Sequence, residues 1–160
     1  MSVLTAIEIQ ALTAAVELDA LPEQYRKIIA AFLERAGTQV RDTDLFVDGA
    51  ADRHSQTAGI GGAIYVQGKE IHSFSEPLLN KTNNEAEYTA LLKGVHTILE
   101  LKLININIYS DSELIVNQVK GNYKIKNDRM IALHGQVMDA LNRVKTWSIH
   151  HIRREKNKRA

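Results

Sequence analysis

Along the chain, segments in which apolar residues recur at every second position are followed by segments in which they recur at every third or fourth. The order of these strand-like and helix-like segments constrains the fold most. Residues 45–47, 59–66 and 70–75 predict three strands, with a turn at 67–69 that makes the run an antiparallel meander. A helical stripe then extends to about residue 100, and alternation at 104–108 predicts a fourth strand. Helical stretches at 110–119 and 127–143 precede a last strand at 146–152. This order predicts an α/β fold, a mixed five-stranded sheet with helices on its faces.

The first part of the chain has a different pattern. Residues 3–18 and 22–36 carry apolar side chains at helical spacing, with Pro22 in a first turn and Gly37 as a C-terminal cap. We therefore expect an N-terminal helical extension over 1–42 and one main domain over 43–160. Such short apolar stripes need a surface to cover, either the domain or a second copy of the chain, so a homodimer through these helices is one option.

Composition excludes several kinds of chemistry. The chain has no cysteine, which rules out disulfides, zinc–thiolate sites and cysteine nucleophiles. We expect a cytoplasmic protein without a membrane partner, because no leader and no long apolar run is present. Residues 141–160 contain seven lysines and arginines against one acid, which suits a polyanionic partner, although a solvated terminal face would look the same.

Three acidic residues stand where predicted elements meet. Asp48 follows the first strand, Asp111 follows the fourth, and Glu87 lies early in the helix between them. Carboxylates this close repel one another, so the group either binds a cation or has raised pKa values. Hard oxygen ligands suit Mg²⁺ or Mn²⁺, which points to two-metal phosphodiester chemistry.

Four segments resemble the type 1 ribonuclease H family, in its compact bacterial and archaeal form. They are FVDGA at 46–50, the glycine-rich strand at 59–65, TNNEAEY at 82–88 and YSDS at 109–112. The resemblance covers about 43–160 and implies a ribonuclease-H-like sheet, with three antiparallel strands followed by parallel ones. It also implies an endoribonuclease that cuts the RNA strand of RNA–DNA hybrids with two divalent ions and leaves 5′-phosphates.

The same resemblance assigns residues to roles. Asp48, Glu87 and Asp111 would be the catalytic, metal-binding carboxylates, and Glu85 would be a first-turn acid, because it points about 200° away from Glu87 around the helix. The remaining candidates would contact nucleic acid. They are Gly49, Thr82, Asn83, Asn84, Arg153, Arg154, Lys156 and Asn157.

Within this group the implied contacts differ. Asn83 and Asn84 would read the ribose 2′-hydroxyl in the minor groove, and Thr82 would hold a phosphate of the DNA strand. Helix capping is the alternative explanation of the two asparagines. Arg153, Arg154 and Lys156 would form a basic loop against phosphate.

A departure from the family at the C-terminal end leaves a second interpretation open. The family has a fourth acidic ligand after a segment like NKRA at 157–160, and here that ligand would be the residue after Ala160. A closing helix that follows in the family is missing as well. The sequence is thus compatible with a fragment of a longer enzyme, or with a weakly active or inactive nucleic-acid-binding module.

Overall fold

A computed structural model describes residues 4–39, 43–103 and 105–160. Five strands form one sheet in the order β3-β2-β1-β4-β5. They are β1 (Thr43–Asp52), β2 (Thr57–Val66), β3 (Lys69–Leu79), β4 (Asn105–Ser110) and β5 (Thr146–His151). The first three pair antiparallel, whereas β4 pairs parallel with both β1 and β5. The predicted mixed sheet is confirmed.

The helices are α1 (Ala6–Val16), α2 (Glu23–Gln39), α3 (Asn83–Glu100), α4 (Glu113–Val119) and α5 (Asp128–Leu141), and a 3-10 turn covers Arg154–Lys156. Helix α3 packs on β1 and β2, and α5 packs on α3. Strand side chains alternate between this helix-covered face and the opposite face, as period two requires. The helix-covered face forms the core, whose largest fully buried side chains include Leu45, Ile64, Tyr88, Leu91, Ile98, Ile108 and Leu141.

Strand β1 is longer than its apolar pattern predicted. The sequence placed Asp48 after the strand, but β1 continues to Asp52, where it pairs with β2, which in turn pairs with β3. Pairing of β1 with β4 stops at Val47 and Ser110. Asp48 is therefore the first residue of β1 without a β4 partner, because β4 ends there and the chain turns away at Asp111.

Three helix boundaries also differ from the prediction. The N-cap of α3 is Thr82 rather than Asn83 or Asn84, and the N-cap of α4 is Ser112 rather than Ser110 or Asp111. Hydroxyl oxygens of both caps accept from the backbone N–H three residues on, the geometry that N-caps favour. Helix α2 continues through Gly37 to Gln39.

Helices α1 and α2 form a hairpin. The Arg26 guanidinium donates to the backbone carbonyl of Leu18, 2.8 Å away, and holds the connection. Ile9 packs against the core, and Glu17 lies 4.0 Å from Lys102, just before β4 begins. The hairpin thus contacts the domain near the start of β4, the end of the strand opposite to Asp111. Among the described helices, none is long and apolar enough to cross a membrane.

Candidate active site

The structure brings Asp48, Glu87 and Asp111 together. Each offers a carboxylate oxygen, and these three oxygens all lie within 4.8 Å of one another. Asp48 lies in β1 and Asp111 directly follows the adjacent strand β4, at the point where the pairing of these strands ends. Glu87 is the fifth residue of α3, which crosses this end of β1. The convergence predicted from the sequence is therefore present.

Gly49 sets the distance between β1 and α3. A Cβ atom at this position would overlap the backbone of Ala86 and Glu87. The Gly49 N–H donates to Oε2 of Glu87, 3.2 Å away, so the same residue both admits the helix and orients the carboxylate. Gly49 was predicted to contact nucleic acid, and that contact stays a prediction; the observed role of this buried glycine is packing.

Burial and mutual repulsion raise the proton affinity of the carboxylates. Burial, followed by the charges of Asp48 and Asp111, raises the pKa of Glu87 to about 8. Burial and then the charge of Asp111 also raise the pKa of Asp48. Carboxylates this crowded repel one another when they are ionised. A divalent cation that prefers hard oxygen ligands would offset this repulsion if it bound between them. The residues present therefore fit Mg²⁺ or Mn²⁺.

The metal-free protein is expected to become less stable as pH rises from about 5 to about 9. Glu87, with an ordinary pKa of 4.5, has a pKa of about 8 in the folded chain. Between these two pH values the folded chain holds a proton that the unfolded chain has released. The free energy of unfolding therefore falls as pH rises, and the stabilisation from this proton is lost once pH passes 8. Glu87→Gln cannot titrate and should reduce the loss, leaving the smaller contribution of Asp48. Urea unfolding in EDTA at both pH values measures this, and an equal pH dependence in the variant would contradict it.

A polar cleft of about 480 Å³ opens beside the carboxylates. Asn83, Asn84, Ser112 and Arg154 line it together with the three acids. Asn83 is anchored, because its Oδ1 accepts from the backbone N–H of Ala51 at 2.8 Å. Neither asparagine is the helix cap, so the capping explanation that the sequence left open is wrong.

Glu85 lies outside the cluster, as the helical spacing predicted. Its Oε2 accepts from the backbone N–H of Thr82 at 2.8 Å, which completes a capping box and lowers the pKa of Glu85. Arg129, at the start of α5, approaches to 3.8 Å and adds an ion pair. The Thr82 hydroxyl is already engaged in the cap, so its predicted role in phosphate binding would have to be shared with capping.

The C-terminal segment forms the other wall of the site. Arg154 lies close enough to oppose the raised pKa values of Asp48 and Glu87. A second cavity of about 370 Å³ shares Asp48 and Arg154 with the cleft. Lys158 also lines this cavity. It belongs to the basic segment 141–160 but was not among the residues predicted to contact nucleic acid. Arg153 and Lys156 are exposed on the same turn.

Asn157 attaches the C-terminal segment to β1. Its side chain is only 4% exposed, and its Nδ2 donates to the backbone carbonyl of Val47 at 2.9 Å. Val47 is the last residue of β1 that pairs with β4, so the amide hydrogen bonds to β1 at the point where this pairing ends. The side-chain amide of Asn157 thus holds the C-terminal segment beside Asp48, and its predicted contact with nucleic acid stays a prediction.

Sequence comparison finds relatives that cover the main domain. The profile of a family described as reverse transcriptase-like matches residues 46–160. The uncharacterised protein YpeP of Bacillus subtilis is 34% identical over 95 residues, which are 56% of this chain and 42% of that protein. Ribonuclease HI of Halobacterium salinarum is 25% identical over 116 residues, 72% of this chain and 58% of the relative. The chain thus spans about half the length of these curated relatives.

Solved structures share the fold. LC11-RNase H1, isolated from compost by metagenomics and solved with an RNA/DNA hybrid, is 33% identical with a TM-score of 0.70, covering 74% of this chain and 91% of that one. The N-terminal RNase H domain of Rv2228c from Mycobacterium tuberculosis is 22% identical, with a TM-score of 0.71 over 74% of this chain and 86% of that one. The chain therefore belongs to the reverse transcriptase-like family, and its motifs, sheet and relatives together place it with the type 1 ribonuclease H proteins.

Proposed function

We propose that residues 43–160 form an endoribonuclease that hydrolyses the RNA strand of RNA–DNA hybrids and leaves 5′-phosphates. The observation that carries this proposal is the cluster of three carboxylates within 4.8 Å, beside a cleft lined by amides and a guanidinium. Its position, at the end of the β1–β4 pairing, is the place where ligands bind in open α/β sheets. The similarity to LC11-RNase H1, which was solved with a hybrid, supports the choice of substrate.

The carboxylates and Arg154 would have different roles in the reaction. Two Mg²⁺ or Mn²⁺ ions at the carboxylates would polarise the scissile phosphate and activate water. Asp48 lines both the cleft and the second cavity, and its carboxylate would be available to an ion on either side. Arg154 borders both spaces and would hold a phosphate of the RNA strand by charge-assisted hydrogen bonds.

The asparagines of α3 would provide selectivity for the hybrid. Asn83 has its carbonyl oxygen engaged by Ala51, which orients the side chain and leaves its amide N–H groups to donate. Together with Asn84 it would contact the ribose 2′-hydroxyl, the group that distinguishes RNA from DNA. Arg153 and Lys156, exposed beside Arg154, would add phosphate contacts that carry no sequence information.

Nucleic-acid binding with little cleavage is the second candidate. The observation that favours it is the size of the cluster, because three acids meet within the described ranges 4–39, 43–103 and 105–160. Three carboxylates would hold one ion well, whereas a second ion would depend more on Asp48 and the substrate. Such a protein would keep its affinity for the hybrid and need high metal concentrations to cut.

A cleavage assay separates the two candidates. The full chain is incubated with an RNA–DNA hybrid labelled on the RNA strand, over a range of Mg²⁺ and of Mn²⁺ concentrations. We expect cuts in the RNA with 5′-phosphate ends and none in single-stranded RNA or double-stranded DNA. Binding of the uncut hybrid is measured in EDTA. Affinity without cleavage at any metal concentration would leave the binding module as the function.

Replacing Asn84 with alanine is expected to weaken binding of the hybrid without changing stability. Within the described residues, the side chain of Asn84 forms no hydrogen bond that would be lost. Asn83→Ala should weaken binding and also lower the melting temperature, since it removes the bond to Ala51. Affinity for hybrid and for double-stranded DNA is measured in EDTA. Equal losses for the two duplexes would show that neither side chain reads the ribose.

A further inference from the structure

The hairpin of α1 and α2 leaves an apolar surface open. Helix α2 packs on α1 through half-buried residues such as Ile29 and Leu33. Beside them, Tyr25, Ile28 and Phe32 are 52%, 63% and 42% exposed. Their spacing of three and four residues puts them on one continuous stripe along the helix. Contiguous exposed apolar surface of this kind marks an interaction site.

The charge of the hairpin disfavours a polyanionic partner. Residues 4–39 contain five acids against three bases, a net charge of −2. The acids are Glu8, Glu17, Asp19, Glu23 and Glu34, and the bases are Arg26, Lys27 and Arg35. Nucleic acid and anionic membranes attract basic surfaces, so neither matches this one.

The order of residues along the stripe is self-complementary. An aromatic residue stands on each side of Ile28, three residues before it and four residues after it. When two such helices cross antiparallel about a two-fold axis at Ile28, Tyr25 of each copy meets Phe32 of the other. The pairing is isologous, as closed dimers require, and it stacks aromatic rings twice. This arrangement brings no acidic side chain into the centre of the contact between the two copies of α2.

We propose that α2 is the seam of a homodimer in which two hairpins associate about a two-fold axis. Helix α2 has 17 residues and is about 25 Å long. Two hairpins of this length bury on the order of 1,000 Å² in total, near the lower limit for a specific interface. An interface of this size is typical of weak, reversible association. It leaves both active sites accessible, because the hairpin contacts the domain near the start of β4, away from Asp111.

Sedimentation velocity of the full chain from about 1 to 100 µM tests the proposal. We expect the wild type to shift from monomer to dimer, and both Ile28→Glu and Phe32→Glu to remain monomeric. Ala30→Glu is the matched control, because it adds the same charge at an exposed position on the opposite side of α2. A wild type that stays monomeric, or an equal effect of Ala30→Glu, would overturn the proposal.

Cross-linking gives a second measurement that does not depend on disrupting the seam. The chain has no cysteine, so one introduced thiol can be oxidised without competition. Ile28→Cys should give a covalent dimer, because the two copies of this position meet at the axis, whereas Ala30→Cys should give little. The result is independent of nuclease activity. Equal cross-linking at both positions would argue against this seam even if the protein is dimeric.

Discussion

Asp48→Asn is expected to abolish cleavage of an RNA–DNA hybrid, with a loss of roughly three orders of magnitude or more. Asp48 borders both cavities of the site and lies within 4.8 Å of the other two carboxylates. An amide has the same shape but carries no charge to hold a divalent cation. Initial rates in saturating Mg²⁺ and in Mn²⁺ measure the effect, together with calorimetric titration of Mn²⁺.

Stability and a matched control separate catalysis from folding. Removing one of three crowded charges should leave the metal-free protein at least as stable as the wild type, because repulsion within the cluster falls. Asp44→Asn makes the same change on the same face of β1, where the carboxylate accepts from Asn107 at 3.3 Å. That variant should retain activity. Full cleavage by Asp48→Asn, or equal losses in both variants, would refute the catalytic assignment.

Gly49→Ala is expected to destabilise the protein by roughly 3 kcal/mol or more, at the upper end of overpacking effects. The added methyl group would overlap backbone atoms of Ala86 and Glu87, which have no freedom to rotate away as a side chain would. Helix α3 would have to move from β1 and would carry Glu87 away from Asp48. Urea unfolding gives the loss of stability, and Mn²⁺ titration of the folded fraction gives the loss of the site.

Gly135→Ala provides the comparison for this change. Gly135 lies in the exposed face of α5, and a Cβ there would meet nothing within 4 Å. The substitution should stabilise the protein by about 0.5–1 kcal/mol, because alanine has the higher helix propensity. Opposite signs at the two positions are the expected result. A small effect of Gly49→Ala would mean that α3 does not approach β1 as closely as described.

The order of elements was readable from the sequence because it depends on local periodicity. Alternation at 104–108 and the helical stripe before it follow from which face of each element is buried, and the observed β4 and α3 agree with them. The convergence of the three acids was predicted because Asp48 and Asp111 follow strand segments whose ends can lie side by side, and Glu87 lies early in the helix between them. Helical geometry likewise separated Glu87 from Glu85.

Features that depend on long-range contacts could not be read in this way. The burial of Asn157 depends on the carbonyl of Val47, 110 residues away, which accepts from its side-chain amide at the point where the β1–β4 pairing ends. Past Val47, β1 pairs with β2 and no longer with β4, so the length of β1 depends on its pairing with β2. Thr82, Asn83 and Asn84 are all plausible caps by residue type, and the position of Ala51 next to Asn83 separates their roles. Local pattern specifies which elements form, whereas the use of each polar group depends on which backbone atom the fold leaves unpaired beside it.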